Sequence, residues 1–355
     1  MSAPASRGLT SPSLENITTN LNNLATPFSP SVGSSTTTPI SPEHINTGTW
    51  SLAKTAAPLL RPRTYLIVGA SRGIGLEFTK QLLQRGHQVI AVVRDPSTAS
   101  QLWQVTGSLN LRPGSCILEQ CDVASSSDIE QFVTRMKLHV LKGGSIDTVI
   151  LNAGILDYDQ GLGALNVEFE MLERHLRVNC VGNIVLARKI LMLNDQDSLQ
   201  QRRELQQVSD PTEERLTVAR QVIFMSSDSG SMTKFTGDYE DGFAAYSASK
   251  AALNMTLRHM AAELKRRGEK KIEDQKHDWQ SHGGHSMKPW EHDVCVLAMH
   301  PGEVSTDMAN IELGWEVEGI ISPQESVSDM LKVLEDKDSR HTGTFWRWDG
   351  TEHPW

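Results

Sequence analysis

Residues 64–78 read TYLIVGASRGIGLEF, and this stretch decides the fold class. A short apolar run enters a turn that contains Gly69, Gly73 and Gly75, and a helical pattern of apolar residues follows. A strand, a glycine turn and a helix in this order can bind the pyrophosphate of a dinucleotide. Gly69 would permit the tight turn, Gly73 would let the backbone approach the phosphates, and Gly75 would let helix and strand pack closely. On its own the pattern also fits a plain glycine-rich turn.

Outward from this stretch, short apolar runs alternate with segments of helical periodicity. The two longest helical segments are predicted at residues 166–193 and 244–266. Strands that are apolar throughout and alternate with helices form a parallel sheet covered on both faces. We therefore predict an α/β fold, a Rossmann-type doubly wound parallel sheet of about seven strands flanked by helices in a single domain. The predicted strands are residues 64–69, 89–93, 116–118, 148–151, 222–225, 294–298 and 343–346.

Three polar stretches precede or interrupt this domain, which we assign to residues 61–355. Residues 1–60 are rich in Ser, Thr, Pro and Asn, so we expect a disordered leader, and their two basic residues argue against a mitochondrial transit peptide. Residues 194–219 and 267–292 lack a core pattern, so we expect surface insertions. The second insertion has four histidines, whose irregular spacing favours a solvated tract over a metal site: His277, His282, His285 and His292.

Composition excludes several classes of partner. The formal net charge of −9 argues against a surface for nucleic acid or anionic membranes. No apolar stretch reaches the roughly 18 residues of a membrane span. We therefore expect no nucleic-acid partner, no membrane partner and no metal. Four scattered cysteines without CxxC spacing indicate reduced thiols and a cytoplasmic location: Cys116, Cys121, Cys180 and Cys295.

The end of the second predicted strand decides between the two nicotinamide cofactors. A carboxylate there would bind the 2′-hydroxyl of NAD and repel a 2′-phosphate. Val93 occupies that place and Arg94 follows it, while Arg72 lies in the glycine turn. Two guanidinium groups that reach the same phosphate would bind it strongly and selectively. The sequence therefore predicts NADP(H), although a small shift of the strand end would make Asp95 an acid of the NAD type.

Tyr246 and Lys250 occur in the helix-compatible stretch YSASKAALNM. Four residues apart on a helix, the two side chains share one face. A nearby ammonium would favour the phenolate and lower the pKa of Tyr246, which would suit the phenol for general acid–base catalysis. The alternative is an ordinary surface pair, because this spacing is common by chance.

Six ordered motifs resemble those of the short-chain dehydrogenase/reductase family. They are the glycine turn at residues 69–75, NAG at 152–154, Asn179, Ser227, the Tyr246/Lys250 pair and Pro301-Gly302. The resemblance covers roughly residues 62–355. Within the family the chain looks most similar to the C-factor-like branch (C-signal, sporulation-type), on the segments VVRDP, SASKAALNM, HPGEVSTDM and TGTFWRWDGTEHPW.

The resemblance implies a catalytic role for four side chains. Tyr246 would protonate the substrate oxygen or deprotonate an alcohol, and Ser227 would hydrogen-bond the reacting oxygen. Lys250 would bind the ribose hydroxyls of the nicotinamide nucleotide as well as lower the pKa of Tyr246. Asn179 would hold a helix bend and a water that links Lys250 to solvent.

The serine assignment has two rivals, Ser226 and Ser229, because the interval between Ser227 and Tyr246 is longer than is usual in the family. The sequence MSSDSGSM directly after the strand VIF favours Ser227. The alternative is a serine that only caps the strand end.

The resemblance also implies a set of cofactor-binding residues. Asp122 would contact the adenine, Asn152 would shape the ribose region, and Thr306 would lie against the nicotinamide together with Pro301 and Gly302. The full set is Gly69, Ser71, Arg72, Gly73, Ile74, Gly75, Arg94, Asp122, Val123, Asn152, Ala153, Gly154, Tyr246, Lys250, Pro301, Gly302, Val304 and Thr306.

The function implied is an NADP(H)-dependent oxidoreductase that interconverts a carbonyl and a secondary alcohol of a small molecule. Helices 166–193 and 244–266 would then form the interface of a homo-oligomer, a dimer or tetramer. The alternatives are a nucleotide-binding signalling or regulatory protein with little turnover, and a scaffold that acts through its leader and insertions. Aromatic and Met residues of loops 155–164, 228–243 and 303–321 would line an apolar substrate pocket or merely pack the loops: Phe235, Tyr239, Phe243, Met308 and Trp315.

Overall fold

The computed structural model describes residues 62–112, 114–158, 163–194, 218–236, 242–282, 290–309 and 317–355. One compact unit spans Leu59–Trp355. The predicted leader, residues 1–60, lies outside the described residues, as do residues 195–217 of the first predicted insertion.

The seven predicted strands are confirmed, with ends that differ by one or two residues. They are β1 (Thr64–Val68), β2 (Gln88–Val93), β3 (Cys116–Gln120), β4 (Thr148–Leu151), β5 (Gln221–Met225), β6 (Cys295–His300) and β7 (Thr344–Arg347). They form one sheet in the order β3-β2-β1-β4-β5-β6-β7, and every pair of neighbours is parallel. The order reverses between β1 and β4, so the loops after these two strands diverge and leave a crevice at the carboxyl edge.

The two faces of the sheet are covered by different helices, which explains the apolar strands. In β1, Leu66 and Val68 pack into one core cluster, and Tyr65 and Ile67 pack into the other. Because both faces are buried, alternation between polar and apolar residues is lost. The helices are α1 (Gly73–Gln84), α2 (Ser100–Ser108), α3 (Ser126–Leu141), α4 (Phe169–His175), α5 (Asn183–Leu191), α6 (Ala244–His282) and α7 (Pro323–Asp336).

Local capping sets the start of two helices. Ser125 accepts a hydrogen bond from the Asp128 N–H at the start of α3, and Ser322 accepts one from the Glu325 N–H at the start of α7. Each hydroxyl satisfies one of the backbone donors that a helix N-terminus leaves unpaired. Pro323 is the first residue of α7, where its missing N–H costs nothing.

The segment predicted as one helix at 166–193 is divided into three parts, so that prediction was wrong in detail. A π-helix at Leu176–Gly182 separates α4 from α5. The wider π turn changes the direction in which its side chains project, and such turns are frequent at functional sites. Nothing in the apolar periodicity of the sequence distinguishes a π turn from an α turn.

The helix predicted at 244–266 extends to His282, well into the second predicted insertion. Residues 267–282 contain many Lys, Glu and Gln residues, which favour helix without an apolar face. The insertion is also not wholly solvated, since Trp290 and Glu291 are buried and Lys271 of α6 forms an ion pair with Glu291. Periodicity alone missed this extension because most of residues 267–274, the part whose burial is described, face solvent.

The ends of the first predicted insertion are held together inside the fold. The Asn194 side chain donates to the Val218 carbonyl over 2.8 Å, and the Val218 N–H donates to the Asn194 amide oxygen over 2.7 Å. Asn194 and Val218, which flank residues 195–217 of this insertion in sequence, therefore lie side by side. No helix of the described part of the chain is both long enough and apolar enough to cross a membrane.

Candidate active site

A cleft of about 780 Å³ opens at the carboxyl edge of the sheet, where the strand order reverses. Most of the predicted cofactor-binding residues line it: Gly69, Ser71, Arg72, Gly73, Ile74, Arg94, Asp122, Val123, Asn152, Ala153, Gly154, Tyr246, Lys250, Pro301 and Thr306. The other three are not among the residues that line the cleft. Gly75 packs under the glycine turn, Gly302 packs against Trp348, and Val304 is buried and pairs with Ile321.

The glycine turn has no room for a side chain at Gly69 or at Gly75. Gly69 has a φ of +87°, and a Cβ there would lie 2.8 Å from the Cα of Ala153. A Cβ on Gly75 would lie 2.1 Å from the carbonyl oxygen of Gly69, which the Asn152 side chain binds over 3.1 Å. Within the described residues no side chain caps the start of α1. Its N–H groups and positive dipole end are therefore available to an anion in the cleft.

The end of β2 has the arrangement predicted for a phosphate. The strand ends at Val93, and Arg94 and Arg72 are exposed side chains at the cleft wall. Asp95 instead caps its own turn, because its carboxylate accepts from the Ser97 N–H over 2.9 Å and from the Ser97 hydroxyl over 2.7 Å. These hydrogen bonds hold the pKa of Asp95 below its usual range. Asp95, the residue that would favour NAD, therefore forms hydrogen bonds within its own turn.

Tyr246 and Lys250 occupy adjacent turns at the start of α6, with Nζ of Lys250 5.6 Å from the centre of the Tyr246 ring. Lys250 is buried and donates to the Met225 carbonyl over 2.8 Å. Burial lowers the pKa of Lys250 to about 8. The pair is therefore built into the domain and is no ordinary surface pair.

The electrostatics of Tyr246 differ from the sequence expectation. Burial raises the pKa of the phenol, a hydrogen bond with Ser227 lowers it by less, and the carboxylates of Asp228 and Glu303 raise it further. The prediction that the Lys250 ammonium lowers this pKa was wrong for this structure. Burial and the carboxylates of Asp228 and Glu303 raise the pKa of the phenol instead, so Tyr246 stays protonated near neutrality.

Ser227, rather than its two rivals, is the serine that contacts Tyr246. Its hydroxyl donates to the Asp228 carboxylate over 3.0 Å and accepts from the Ser229 N–H over 3.2 Å. Ser226 is buried, and its hydroxyl donates to the Asn254 side chain over 2.6 Å. The Ser227 hydroxyl therefore lies in a turn that presents it to the phenol.

Asn179 lies in the π-helix between α4 and α5. Its side-chain oxygen accepts from the Ile155 N–H over 2.8 Å, and its amide donates to the Ile155 carbonyl and to the Ser249 hydroxyl over 2.9 and 3.0 Å. A Cβ on Gly154 would lie 3.3 Å from the Asn179 oxygen and 3.8 Å from Nζ of Lys250. The NAG turn, Asn179 and Lys250 therefore meet at one point.

Sequence reasoning missed several residues around this site. Asp228, His300 and Glu303 each present a polar atom, and these atoms lie within 4.8 Å of one another next to Ser227. Glu173, Arg174 and Arg177 form part of the opposite cleft wall. His300 and Glu303 belong to the segment HPGEVSTDM and Asp228 belongs to MSSDSGSM, but only the fold brings the three side chains together. Their charges were visible in the sequence, but their positions were not.

The predicted substrate residues are only partly gathered. Phe243 packs on Tyr158 with ring centres 5.0 Å apart, and Met308 lies at the cleft wall. Phe235 is exposed. Tyr239 and Trp315 lie outside the described residues.

A glycine turn at the reversal of a doubly wound parallel sheet defines this chain as an α/β protein of the nucleotide-binding type. The family model described as short chain dehydrogenase matches residues 63–198. An uncharacterized oxidoreductase of Schizosaccharomyces pombe is 28% identical over 305 residues, which cover 82% of this chain and 98% of that protein. The C-signal protein of Myxococcus xanthus is 26% identical over 212 residues, 60% of this chain and 94% of that protein. Residues 63–198 therefore match the short-chain dehydrogenase family, and the relatives that are similar over most of the chain include oxidoreductases.

Solved structures agree with this assignment. The NADPH-bound carbonyl reductase from chicken fatty liver superposes with a TM-score of 0.61 at 26% identity, over 83% of this chain and all of that one. A carbonyl reductase from Pseudomonas aeruginosa superposes with a TM-score of 0.56 at 25% identity, over 82% of this chain and all of that one.

Proposed function

We propose that the protein is an NADP(H)-dependent oxidoreductase that interconverts a carbonyl and a secondary alcohol of a small molecule. The observation that carries the proposal is the contact between Ser227 and Tyr246, with buried Lys250 beside the phenol, at the edge of the sheet where the glycine turn lies. The carbonyl reductase neighbours, one of them NADPH-bound, support the same reaction.

The residues present fit a bound NADP(H). The uncapped start of α1 and the glycine turn suit a pyrophosphate, and Arg72 and Arg94 suit a 2′-phosphate. Lys250 and Asn152, at the cleft wall, would hold the ribose of the nicotinamide half. When bound, the cofactor supplies the hydride, and the protein supplies binding, orientation and the proton.

Tyr246 and Ser227 would act on the substrate oxygen. As the carbonyl oxygen gains negative charge, the Ser227 hydroxyl would turn from Asp228 to hydrogen-bond it, and the Tyr246 phenol would donate its proton. The phenol prefers its protonated form, which suits the acid role in carbonyl reduction. Asp228 and Glu303 contribute to this preference, because negative charges near the phenol oppose phenolate formation.

Lys250 and Asn179 would return a proton to Tyr246. Burial brings the pKa of Lys250 to about 8, so its ammonium can release a proton near neutrality and its amine can take one up again. Asn179 is fixed by three hydrogen bonds to Ile155 and Ser249. This rigidity supports its proposed role of holding a water beside Lys250.

We also propose finer assignments. Phe243 on Tyr158, together with Met308, would suit an apolar carbonyl substrate. The likeness to C-signal supports the C-factor-like branch. Val181 and Met255 are exposed apolar residues on the helices proposed to form a homo-oligomer interface. The four cysteines, all free, suit a cytoplasmic location.

The test of the proposed function is a screen of ketones, quinones and aldehydes for NADPH oxidation by the purified protein. We expect turnover of at least one class, and loss of turnover in Tyr246→Phe with nearly unchanged NADPH affinity, because the proton donor is removed and the cleft is retained. If wild-type protein binds NADPH but oxidises none in the presence of any carbonyl, the regulatory alternative replaces this one. Retained turnover in Tyr246→Phe would remove the phenol from the mechanism.

A further inference from the structure

The loop after β5, residues 226–234, carries Ser227 and rests on residues 353–355. The Thr233 N–H and hydroxyl both donate to a main-chain oxygen of Trp355, over 3.0 and 2.6 Å. The Ser231 hydroxyl donates to the Pro354 carbonyl over 2.8 Å, and Ser231 is buried. More than a hundred residues of chain separate the two partners of each of these bonds. The loop is therefore supported by tertiary contacts rather than by its own sequence neighbours.

His300 supports the same loop from the sheet. It is the last residue of β6 and is buried, and its Nδ1 accepts from the Asp228 N–H over 3.4 Å. Burial lowers the pKa of His300 to about 4, so the ring is neutral near pH 7. A neutral ring that accepts at Nδ1 carries its proton on Nε2. The acceptor therefore persists at neutral pH and anchors the residue next to Ser227.

Residues 353–355 link His300 to the helix that carries Tyr246. The buried His353 ring lies 5.7 Å from the His300 ring and 4.4 Å from the Phe345 ring of β7. The Trp355 ring lies 5.3 Å from Phe345, and the Arg258 guanidinium of α6 lies 5.1 Å from its centre. Residues 353–355 therefore lie between the sheet and α6, and their hydrogen bonds connect both to the loop 226–234.

We propose that His300 and residues 353–355 are positioning residues that hold Ser227 against Tyr246 for the reaction. The inference rests on the proposed function and adds to it the parts of the chain that set the serine geometry. None of these residues needs to touch the substrate or the cofactor. A displacement of a reacting group by about 1 Å can cost on the order of 100-fold in rate, so the support of this loop matters to turnover.

The first test compares His300→Leu with His300→Asn. Leu removes the acceptor, whereas the Asn side-chain oxygen can accept from the Asp228 N–H in place of Nδ1. We expect His300→Leu to lower kcat by at least roughly 10-fold with NADPH affinity unchanged, and His300→Asn to recover most of that loss. A residue that only fills space would give equal losses in both variants, because both change the packing of the ring.

The second test uses the contacts of residues 353–355. We expect the double variant Ser231→Ala/Thr233→Val to lower kcat in the same way, because the loop loses both of its side-chain donors to the segment. Thr351→Val is the matched control, since this exposed hydroxyl bonds only locally to Asp349 over 2.6 Å. The control should keep wild-type kcat and NADPH affinity.

Wild-type kcat in His300→Leu, or equal losses in both His300 variants, would overturn the proposal while leaving the proposed function intact. Failure of the proposed function is seen separately, as absence of wild-type turnover. Hydrogen exchange of the peptide that covers residues 226–234 then decides. Faster exchange in His300→Leu and in the double variant, but not in Thr351→Val, supports the proposal that His300 and residues 353–355 position this loop. Wild-type exchange in both overturns it.

Discussion

Substitution of Gly75 by Ala tests the packing that brings the glycine turn to the cleft. Alanine is the better helix former by up to about 1 kcal/mol, so propensity alone predicts a more stable protein. The structure predicts the reverse. The added Cβ would lie 2.1 Å from the Gly69 carbonyl oxygen and 2.7 Å from the Asn152 side-chain nitrogen. The turn or the helix must move by roughly 1 Å or more to restore van der Waals contact.

Overpacking of this kind costs about 1–3 kcal/mol, which exceeds the propensity gain. We expect a net loss of about 1–2 kcal/mol in the free energy of unfolding, measured by urea denaturation. Because the moved atoms belong to the phosphate-binding turn, NADPH affinity should also fall by at least about 10-fold, or 1.4 kcal/mol. Fluorescence titration with NADPH measures the second effect independently of stability.

Gly107→Ala is the matched control, because Gly107 lies in α2 and a Cβ there would have no described heavy atom within 4 Å. It should be neutral or stabilise by up to about 1 kcal/mol and leave NADPH affinity unchanged. If Gly75→Ala matches Gly107→Ala in both stability and NADPH affinity, the close approach of α1 to the turn does not hold in solution.

Arg72→Ala and Arg94→Ala should each weaken NADPH at least about 10-fold with little effect on NADH, because a charge-assisted hydrogen bond to the 2′-phosphate contributes about 1.5–3 kcal/mol; tighter binding of NADH than NADPH by the wild type would contradict this. Burial lowers the pKa of His300 from 6.5 to about 4, so the unfolded chain binds more protons between these values. Wild-type stability should therefore fall by up to about 3 kcal/mol from this residue as the pH drops from 6.5 to 4, and less of that fall should remain in His300→Asn; identical pH profiles would count against a buried neutral imidazole. Deletion of residues 1–55 should leave the melting temperature within roughly 2 °C, and a larger drop would show that the leader stabilises the domain.

The strands and the cofactor end of the site could be predicted because their signals are local. A strand buried on both faces must be apolar throughout, and a phosphate turn between strand and helix needs glycine where a Cβ would collide. Residues 64–75 meet both requirements, with an apolar strand followed by the glycine turn. The end of β2 at Val93, followed by Arg94, was predictable for the same reason: neighbouring residues alone decide it.

The ends and turns of the helices were less predictable from sequence, because they depend on contacts with other parts of the fold. The extension of α6 to His282 is mostly polar in sequence, and most of residues 267–274 face solvent, so it has no apolar stripe that would predict a helix. The π turn around Asn179 has the same apolar pattern as an α turn. Only the hydrogen bonds from Asn179 to Ile155 and Ser249, made across the fold, distinguish its position.

The sequence by itself determined the class of fold, the glycine turn and the spacing of Tyr246 and Lys250 along one helix. The tertiary structure decided what those residues can do. The pKa of Tyr246 follows from burial and from Asp228 and Glu303, and the place of Ser227 follows from His300 and residues 353–355. Charge interactions and hydrogen bonds depend on distance through space, and these partners are brought together only when the sheet forms.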